Sequence, residues 1–385
     1  MEFSEEIILY IFSWLPAKSI CRFKTVCKSF FEFSAETFFA FKQTRNLQLK
    51  DDSLFFIQPD SCRRYSDRLE LHALPGEELS SGVPYRSLQF LMNTSRILAS
   101  SNGLVLCRNT RTGFSDLFLC NPATQTWLSI PTAESLQIAD VVFECNNDEL
   151  DSMLCPDDYI LMAIEGPKDW LPYRGCKVYS SKEGIWREKE NIYIGGRNIR
   201  FEMPVFHYGV IYFISDCFPY VRKTSLYYRP YIVAWDVRNG VSRMLRVPKE
   251  ARRGSDDQSC IMGIFKWGTV TSSFKSICLI RLRKSKFTAW VLTDYYQCLW
   301  SRILKIRVRA MGLREQNPIV AGFTVLNGDS LVFATEEKVY RYCLEGEECC
   351  RIEEVCLNSC GRNVCFHSYS NTLRPCGKNA LPFPT

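Results

Sequence analysis

Three histidines, His72, His207 and His367, are the side chains best suited to move a proton at neutral pH, and they stand far apart along the chain. Histidines scattered in this way read as structural residues with a local partner rather than as a general base. The densest thiol group is Cys349, Cys350, Cys356, Cys360 and Cys365. A structural zinc site needs paired Cys-x-x-Cys or Cys/His sets to close a tetrahedron. These spacings are irregular and hold no second knuckle, so the thiols read as buried or incidental. There is no Gly-x-Ser-x-Gly elbow and no glycine-rich phosphate loop ending in Lys-Ser/Thr. The basic clusters Arg281, Arg283, Lys284 and Lys286, and Lys305, Arg307 and Arg309, alternate with apolar residues as outward faces of strands do, not as a nucleic-acid groove does. No catalytic residue, metal or cofactor is expected.

Composition bounds the rest. At 385 residues the chain exceeds one ordinary core. Lys and Arg total 48 against 42 Asp and Glu, a mild excess spread along the chain and short of what nucleic-acid binding asks for. Glu2, Glu5 and Glu6 argue against a signal peptide, and no charge-free apolar run of about 18 residues suggests a membrane span. The expected location is therefore cytoplasm or nucleus, and the 19 cysteines are expected to be reduced.

The elements come next. Residues 4–14 predict a helix: Ser4 as N-cap, Glu5 and Glu6 in the first turn, and Ile7, Ile8, Ile11, Phe12 and Leu15 as a wide apolar stripe that Pro16 stops. Ser19 suggests a second cap, followed by Ile20, Phe23, Cys27 and Phe30 on one seam. A third helix is expected near residues 35–43 with Phe38, Phe39 and Phe41. Three short helices cannot bury that many apolar groups among themselves. They pack either on the rest of the chain or on a partner.

The stretch "FSEEIILYIFSWLPAKSICRFKTVCKSFFEFS" resembles an F-box of the form common in plant F-box proteins. Leu15, Pro16, Lys18, Ser19, Arg22, Phe23, Val26, Cys27, Lys28 and Ser29 stand in the family's register. Phe3 and Ser4 replace the usual opening Leu-Pro, and Phe30 replaces the usual Trp. The resemblance implies docking on the Skp-type adaptor of a cullin–RING ubiquitin ligase, with Phe3, Ile7, Ile11, Leu15, Pro16, Ile20, Val26 and Cys27 as contacts. Internal helix packing is the alternative for each of them. The altered start puts adaptor affinity in question.

From about residue 45 the pattern turns all-β. A strand–turn–strand segment recurs at 68–84, 116–131, 176–190, 232–248, 289–306 and 338–355, centred on Glu78, Trp127, Trp186, Ser242, Trp300 and Cys349, with gaps of 49 to 59 residues. Between the copies lie "SSNGLVLC", "PVFHYGVIYFIS", "SICLIRLR" and "VLNGDSLVFA", apolar strands mostly led by a glycine-centred reversal. Four strands per unit of about 50 residues is a propeller period. The expected architecture is a small all-α unit over 1–44 followed by an all-β domain over 45–385, a six-bladed kelch-like β-propeller with the three histidines in different blades. "SSNGLVLC" with "LFLCNPATQTWLSIP" resembles the start of the F-box-associated, kelch-type domain. "FHSYSNTLRPC" resembles that domain's end, which would pair beside the first blade and close the ring. The polar stretches 144–158 and 249–259 read as long loops between blades.

The resemblance implies a substrate-recognition subunit of an SCF-type ligase, without bond chemistry of its own. A non-ligase interaction scaffold with a degenerate F-box is the second reading. An enzyme on a propeller, such as a copper-radical oxidase, is the third. It would need Tyr, Cys and His ligands that this chain does not group.

Overall fold

The computed structural model describes residues 4–26, 28–60, 68–75, 83–109, 116–131, 138–145, 159–166, 171–217, 222–257, 259–344 and 352–384. Four helices open the chain, not three: α1 (Glu5–Phe12), α2 (Ala17–Phe23), α3 (Lys28–Ala35) and α4 (Thr37–Gln48). Ser4 occupies the N-cap of α1 but caps with its carbonyl, which accepts the amides of Ile7 and Ile8 at 3.1 and 3.2 Å. Pro16, not Ser19, holds the N-cap of α2, and Ser19 lies inside that helix. The expected second helix is split in two. Thr25 Oγ1 donates to the Arg22 carbonyl at 2.7 Å, and Thr25 and Val26 are β-branched, so the chain turns where the seam suggested continuity.

Strands β1 (Leu54–Pro59) and β2 (Glu70–Ala73) follow and pair antiparallel. Helix α5 (Tyr85–Thr94) comes next, in a region where only strands were expected. Of the hairpin expected over 68–84, the described residues hold one strand, and its centre, Glu78, lies outside them. Sheets of four antiparallel strands then succeed one another. The first holds β3 (Ser95–Ser101), β4 (Leu104–Asn109), β5 (Leu117–Asn121) and β6 (Thr126–Ile130). The second holds β7 (Ile138–Cys145), β8 (Tyr159–Glu165), β9 (Tyr173–Ser180) and β10 (Ile185–Tyr193). The third holds β11 (Ile199–His207), β12 (Val210–Ser215), β13 (Tyr231–Asp236) and β14 (Ser242–Arg246). Helix α6 (Lys249–Arg252) leads to β15 (Ile261–Trp267), β16 (Ser276–Arg283), β17 (Lys286–Asp294) and β18 (Leu299–Arg307). The fifth holds β19 (Val320–Leu326), β20 (Ser330–Thr335), β21 (Lys338–Cys343) and β22 (Ile352–Leu357).

Strand β23 (Val364–Tyr369) closes the structure. It pairs with β1 in continuous register from Leu54↔Tyr369 to Pro59↔Val364, so the sixth sheet joins both ends of the chain in the order β2-β1-β23. The short β24 (Leu381–Pro382) adds to the edge of β6. The leading strands β3, β7, β11, β15, β19 and β23 touch one another in cyclic order. The chain is thus a six-bladed β-propeller behind a small helical head. Each sheet is sandwiched between two neighbours, which is why strands such as "VIYFIS" and "YIVAW" read as unbroken apolar runs. Closure by the terminal strand removes the exposed edges an open fan would leave.

The turns from first to second strand lie on one face of the ring, here the upper face. Asn102–Gly103 and Tyr208–Gly209 have positive φ at both central residues, the twist a two-residue hairpin needs, and Asn327–Gly328 repeats it within a three-residue turn. The recurrent tryptophan position acquires a role. Trp186 Nε1 donates to the Pro131 carbonyl at 2.7 Å, and Trp300 Nε1 to the Arg246 carbonyl at 3.0 Å. Ser242 Oγ, in the equivalent position, accepts the Tyr193 amide at 2.9 Å. Each fastens the outer strand of one blade to the exit of the preceding one. Trp127 packs instead against Phe118 and Phe90, and Cys349 lies outside the described residues.

Two expectations on charge change. Arg281 is not on an outward strand face. It is buried 5.5 Å from the Trp290 ring centre and donates to the carbonyls of Glu250, Ala251 and Arg253 at 2.8, 3.1 and 3.3 Å. The polar stretch 249–259 is accordingly an ordered cover with Ala251 buried beneath it. Of the stretch 144–158, residues 146–158 lie outside the described residues.

Candidate functional site on the helical head

The head sits on the upper face, above the closing blade and the first complete one. The Ala17 amide donates to the Asn371 carbonyl at 3.0 Å. Gln43, fully buried, works both ways: its Nε2 donates to the Leu15 carbonyl at 3.0 Å and its Oε1 accepts the Leu373 amide at 2.9 Å. Asn46 Nδ2 reaches Ser13 Oγ at 2.6 Å, tying α4 to the end of α1. Ala17, Ile20 and Phe39 pack with Leu373 from the far end of the chain and with Ala123 from a propeller turn. Part of the head's apolar surface is thus spent internally.

The remainder faces outward. Ile7, Ile11 and Val26 are 47, 54 and 64% exposed, with Tyr10, Phe23 and Phe31 also open to solvent. Phe12 stacks on Phe30 at 4.5 Å and meets Phe23 at 4.8 Å, so Phe30 joins α3 to α1 and α2 as an aromatic support. Cationic side chains rim this surface at Arg22, Lys24 and Lys28, the last paired with Glu32 at 3.5 Å, and Glu5 and Glu6 stand exposed at the start of α1. A face of this kind can bury apolar side chains of a partner inside a charged rim.

Of the residues the sequence singled out, the structure brings Ile7, Ile11 and Val26 to the open surface together with exposed Pro16. Leu15 is half-buried in the seam against the propeller. Ile20 has 0% exposure and points inward, which corrects its assignment as a contact. Phe3 and Cys27 lie outside the described residues. Sequence reasoning passed over Phe31 and Phe38 as exposed groups. The signal was present: adjacent aromatics on a helix lie about 100° apart, so Phe30–Phe31 and Phe38–Phe39 cannot each face one core. Phe39 is 4% exposed and Phe38 72%.

The other candidates resolve into local structure. His72 and His367 share the closing sheet rather than lying in different blades, but they oppose Phe55 and Phe56 and so stand on opposite faces. His72 Nε2 meets Glu70 Oε2 at 2.8 Å; burial raises the Glu70 carboxyl, but bonds from His72 and Ser359 bring it below its ordinary range. His367 is 3.2 Å from Gln58 Nε2 and burial pushes it down to about 4. His207 is also pushed down to about 4, by burial and then by Lys266. Cys360 Sγ donates to the Ile57 carbonyl at 3.5 Å and Cys365 Sγ to the Gln58 carbonyl at 3.7 Å, with burial raising the thiols to about 12 and about 11. Cys349 and Cys350 lie outside the described residues, and among the described residues no three His, Cys, Asp or Glu side chains converge as metal ligands do.

Comparison with known proteins agrees with this architecture. Residues 77–321 match the family described as F-box protein At3g26010-like, beta-propeller, and residues 5–43 match the F-box-like family. F-box protein At5g49610 of Arabidopsis thaliana is 23% identical over 353 residues, covering 88% of each chain. F-box protein At5g07610 of the same plant is 23% identical over 189 residues, covering 48% of this chain and 44% of that one. Among solved structures, an oligogalacturonate lyase in complex with manganese superposes with a TM-score of 0.39 at 8% identity, covering 67% of this chain and 63% of that one. At that level of likeness no chemistry carries across.

Proposed function

Because the chain belongs to the family of F-box proteins with an At3g26010-like β-propeller, we propose that it is the substrate-recognition subunit of an SCF-type ubiquitin ligase. In this reading the head binds a Skp-type adaptor, and through it a cullin–RING ligase. The kelch-like propeller holds a protein whose lysines are thereby presented to the ubiquitin-charged enzyme. The subunit does no bond chemistry. It raises local concentration and fixes orientation. The same reading puts the protein in the cytoplasm or nucleus and draws the division between head and propeller near residue 44.

The observation that carries it is the solvent-facing apolar surface of Ile7, Ile11 and Val26 on a head otherwise anchored to its own propeller. Large apolar side chains left open on a packed domain mark an interaction site. Capture of the purified chain by an immobilised Skp-type adaptor tests it, beside an Ile7→Glu, Ile11→Glu variant. Both side chains are exposed, so the variant keeps its fold to within about 0.5 kcal/mol per site. Capture of the parent and not of the variant is expected. No capture of the parent would leave the scaffold reading, in which the anchorage of Ala17, Ile20 and Phe39 is the head's whole purpose.

A further inference from the structure

The lower face, opposite the head, carries a cluster of arginines. It is built by the loop after β12, the exit of β14 and α6, all at the ends of strands that lead away from the head. Arg229 Nη1 donates to the Arg252 carbonyl at 3.1 Å, and the Arg229 guanidinium lies 4.9 Å from the Tyr228 ring centre. Arg246 and Arg229 are the charged neighbours of the Arg252 guanidinium, and its buried Nε has no hydrogen-bond partner. Burial, then those two cations, depress the affinity of Arg252 for its own proton. Three like charges held together cost free energy unless an anion sits among them.

Of the carboxylates nearby, Glu250 and Asp257 are already ion-paired. Glu250 takes Arg302 and Lys305 at 2.8 and 2.7 Å, and Asp257 takes Arg283 at 3.2 Å. Asp256 accepts the Tyr228 hydroxyl at 3.5 Å. Among the described residues, Arg229, Arg246 and Arg252 form no ion pair. On the same loop, three residues before Arg229, Leu226 stands almost fully in solvent.

We propose that this cluster seats an acidic segment of a partner protein, whose carboxylates take the guanidiniums of Arg229, Arg246 and Arg252 while an apolar side chain lies on Leu226. The inference rests on the propeller being the target-binding half of the chain. Guanidinium and carboxylate match in planar, two-toothed geometry. A nucleic acid fits less well. It needs a track of phosphate contacts, whereas Arg283, Arg302 and Lys305 are ion-paired with carboxylates and Arg281 is buried against backbone carbonyls, so these four offer phosphates no track.

Fluorescence anisotropy of the full chain with a labelled oligoglutamate peptide tests the proposal, with oligolysine and a single-stranded oligothymidylate as comparison probes. Oligoglutamate is expected to bind, to weaken as salt rises, and to bind about tenfold more weakly or worse to the Arg229→Gln, Arg246→Gln, Arg252→Gln variant. Should that variant misfold, Arg246→Glu alone, at an exposed strand exit, is expected to weaken oligoglutamate and strengthen oligolysine. No binding of oligoglutamate, equal binding by the variants, or tighter binding of oligothymidylate overturns it. Adaptor capture reads the upper face, so a failed adaptor experiment and a failed peptide experiment are separately visible.

Discussion

Gln43 is where the head and the ring can be uncoupled with one substitution. Its side chain is fully buried and holds the Leu15 carbonyl and the Leu373 amide at 3.0 and 2.9 Å, so it spans the seam between α4, the loop into α2 and the terminal segment. In Gln43→Ala both main-chain groups lose their partner inside a seam that water enters poorly. A buried orphan group costs about 1–3 kcal/mol, so two together with relaxation cost about 3 kcal/mol. The cost falls on the contact between head and propeller, because the ladders within the blades do not use this side chain. Local opening of α1, α2 and α4 should therefore become about a hundredfold more frequent. Native-state hydrogen exchange reads this directly. Amides of α1, α2 and α4 are expected to lose protection by about two decades, while those of β16 and β17, deep in the fourth complete blade, keep theirs. Equal loss everywhere would mean that head and ring open as one unit. No loss in the helices would mean that Ala17, Ile20 and Phe39 hold the seam unaided. Either result refutes the argument.

Trp300→Phe removes the bond to the Arg246 carbonyl but keeps the ring, so chemical denaturation should show a loss of about 1 kcal/mol, and the same change at Trp186 a similar loss. Gly103→Ala drives a methyl into Thr372 Oγ1 on a residue with φ +82°, so a melting-point drop corresponding to about 2 kcal/mol or more is expected beside the ring closure. Burial raises the Asp140 carboxyl to about 6, so the folded state binds the proton more tightly than the unfolded one and stability falls as pH rises from about 4 to about 6. Asp140→Asn, which keeps an acceptor for the Val141 amide, should gain about 2–3 kcal/mol at pH 7.5 and nothing at pH 4 in urea titrations.

The outline of this molecule was legible because its signals are local. The F-box register from Leu15 to Ser29 lies within a few helical turns, and the outer-strand repeat is marked by Trp186 and Trp300, which both reach the blade before their own. The apolar runs between them reflect sheets buried on both sides. Less local features were misread. Ser19 rests on helix pattern and Ile20 on family register, and neither can tell a side chain facing a partner from one facing Leu373. Arg281 alternates like a surface residue, yet the carbonyls of a loop 28–31 residues away receive it. His72 and His367 were assigned to separate blades because the sixth blade is made from the two ends of the chain.

Sequence by itself determined the kind of each part: a small helical head with more apolar surface than it can bury, and a repeating four-strand unit that has to stack. Both follow from residue period and composition, which the chain carries from position to position. Tertiary structure decided which side of the head remains open and where free charge collects. Those depend on ring closure, which sets Leu373 against Ala17 and gathers Arg229, Arg246 and Arg252 on the face turned away from the head. Free energy there comes from contacts between residues distant in sequence, and no period along the chain encodes them.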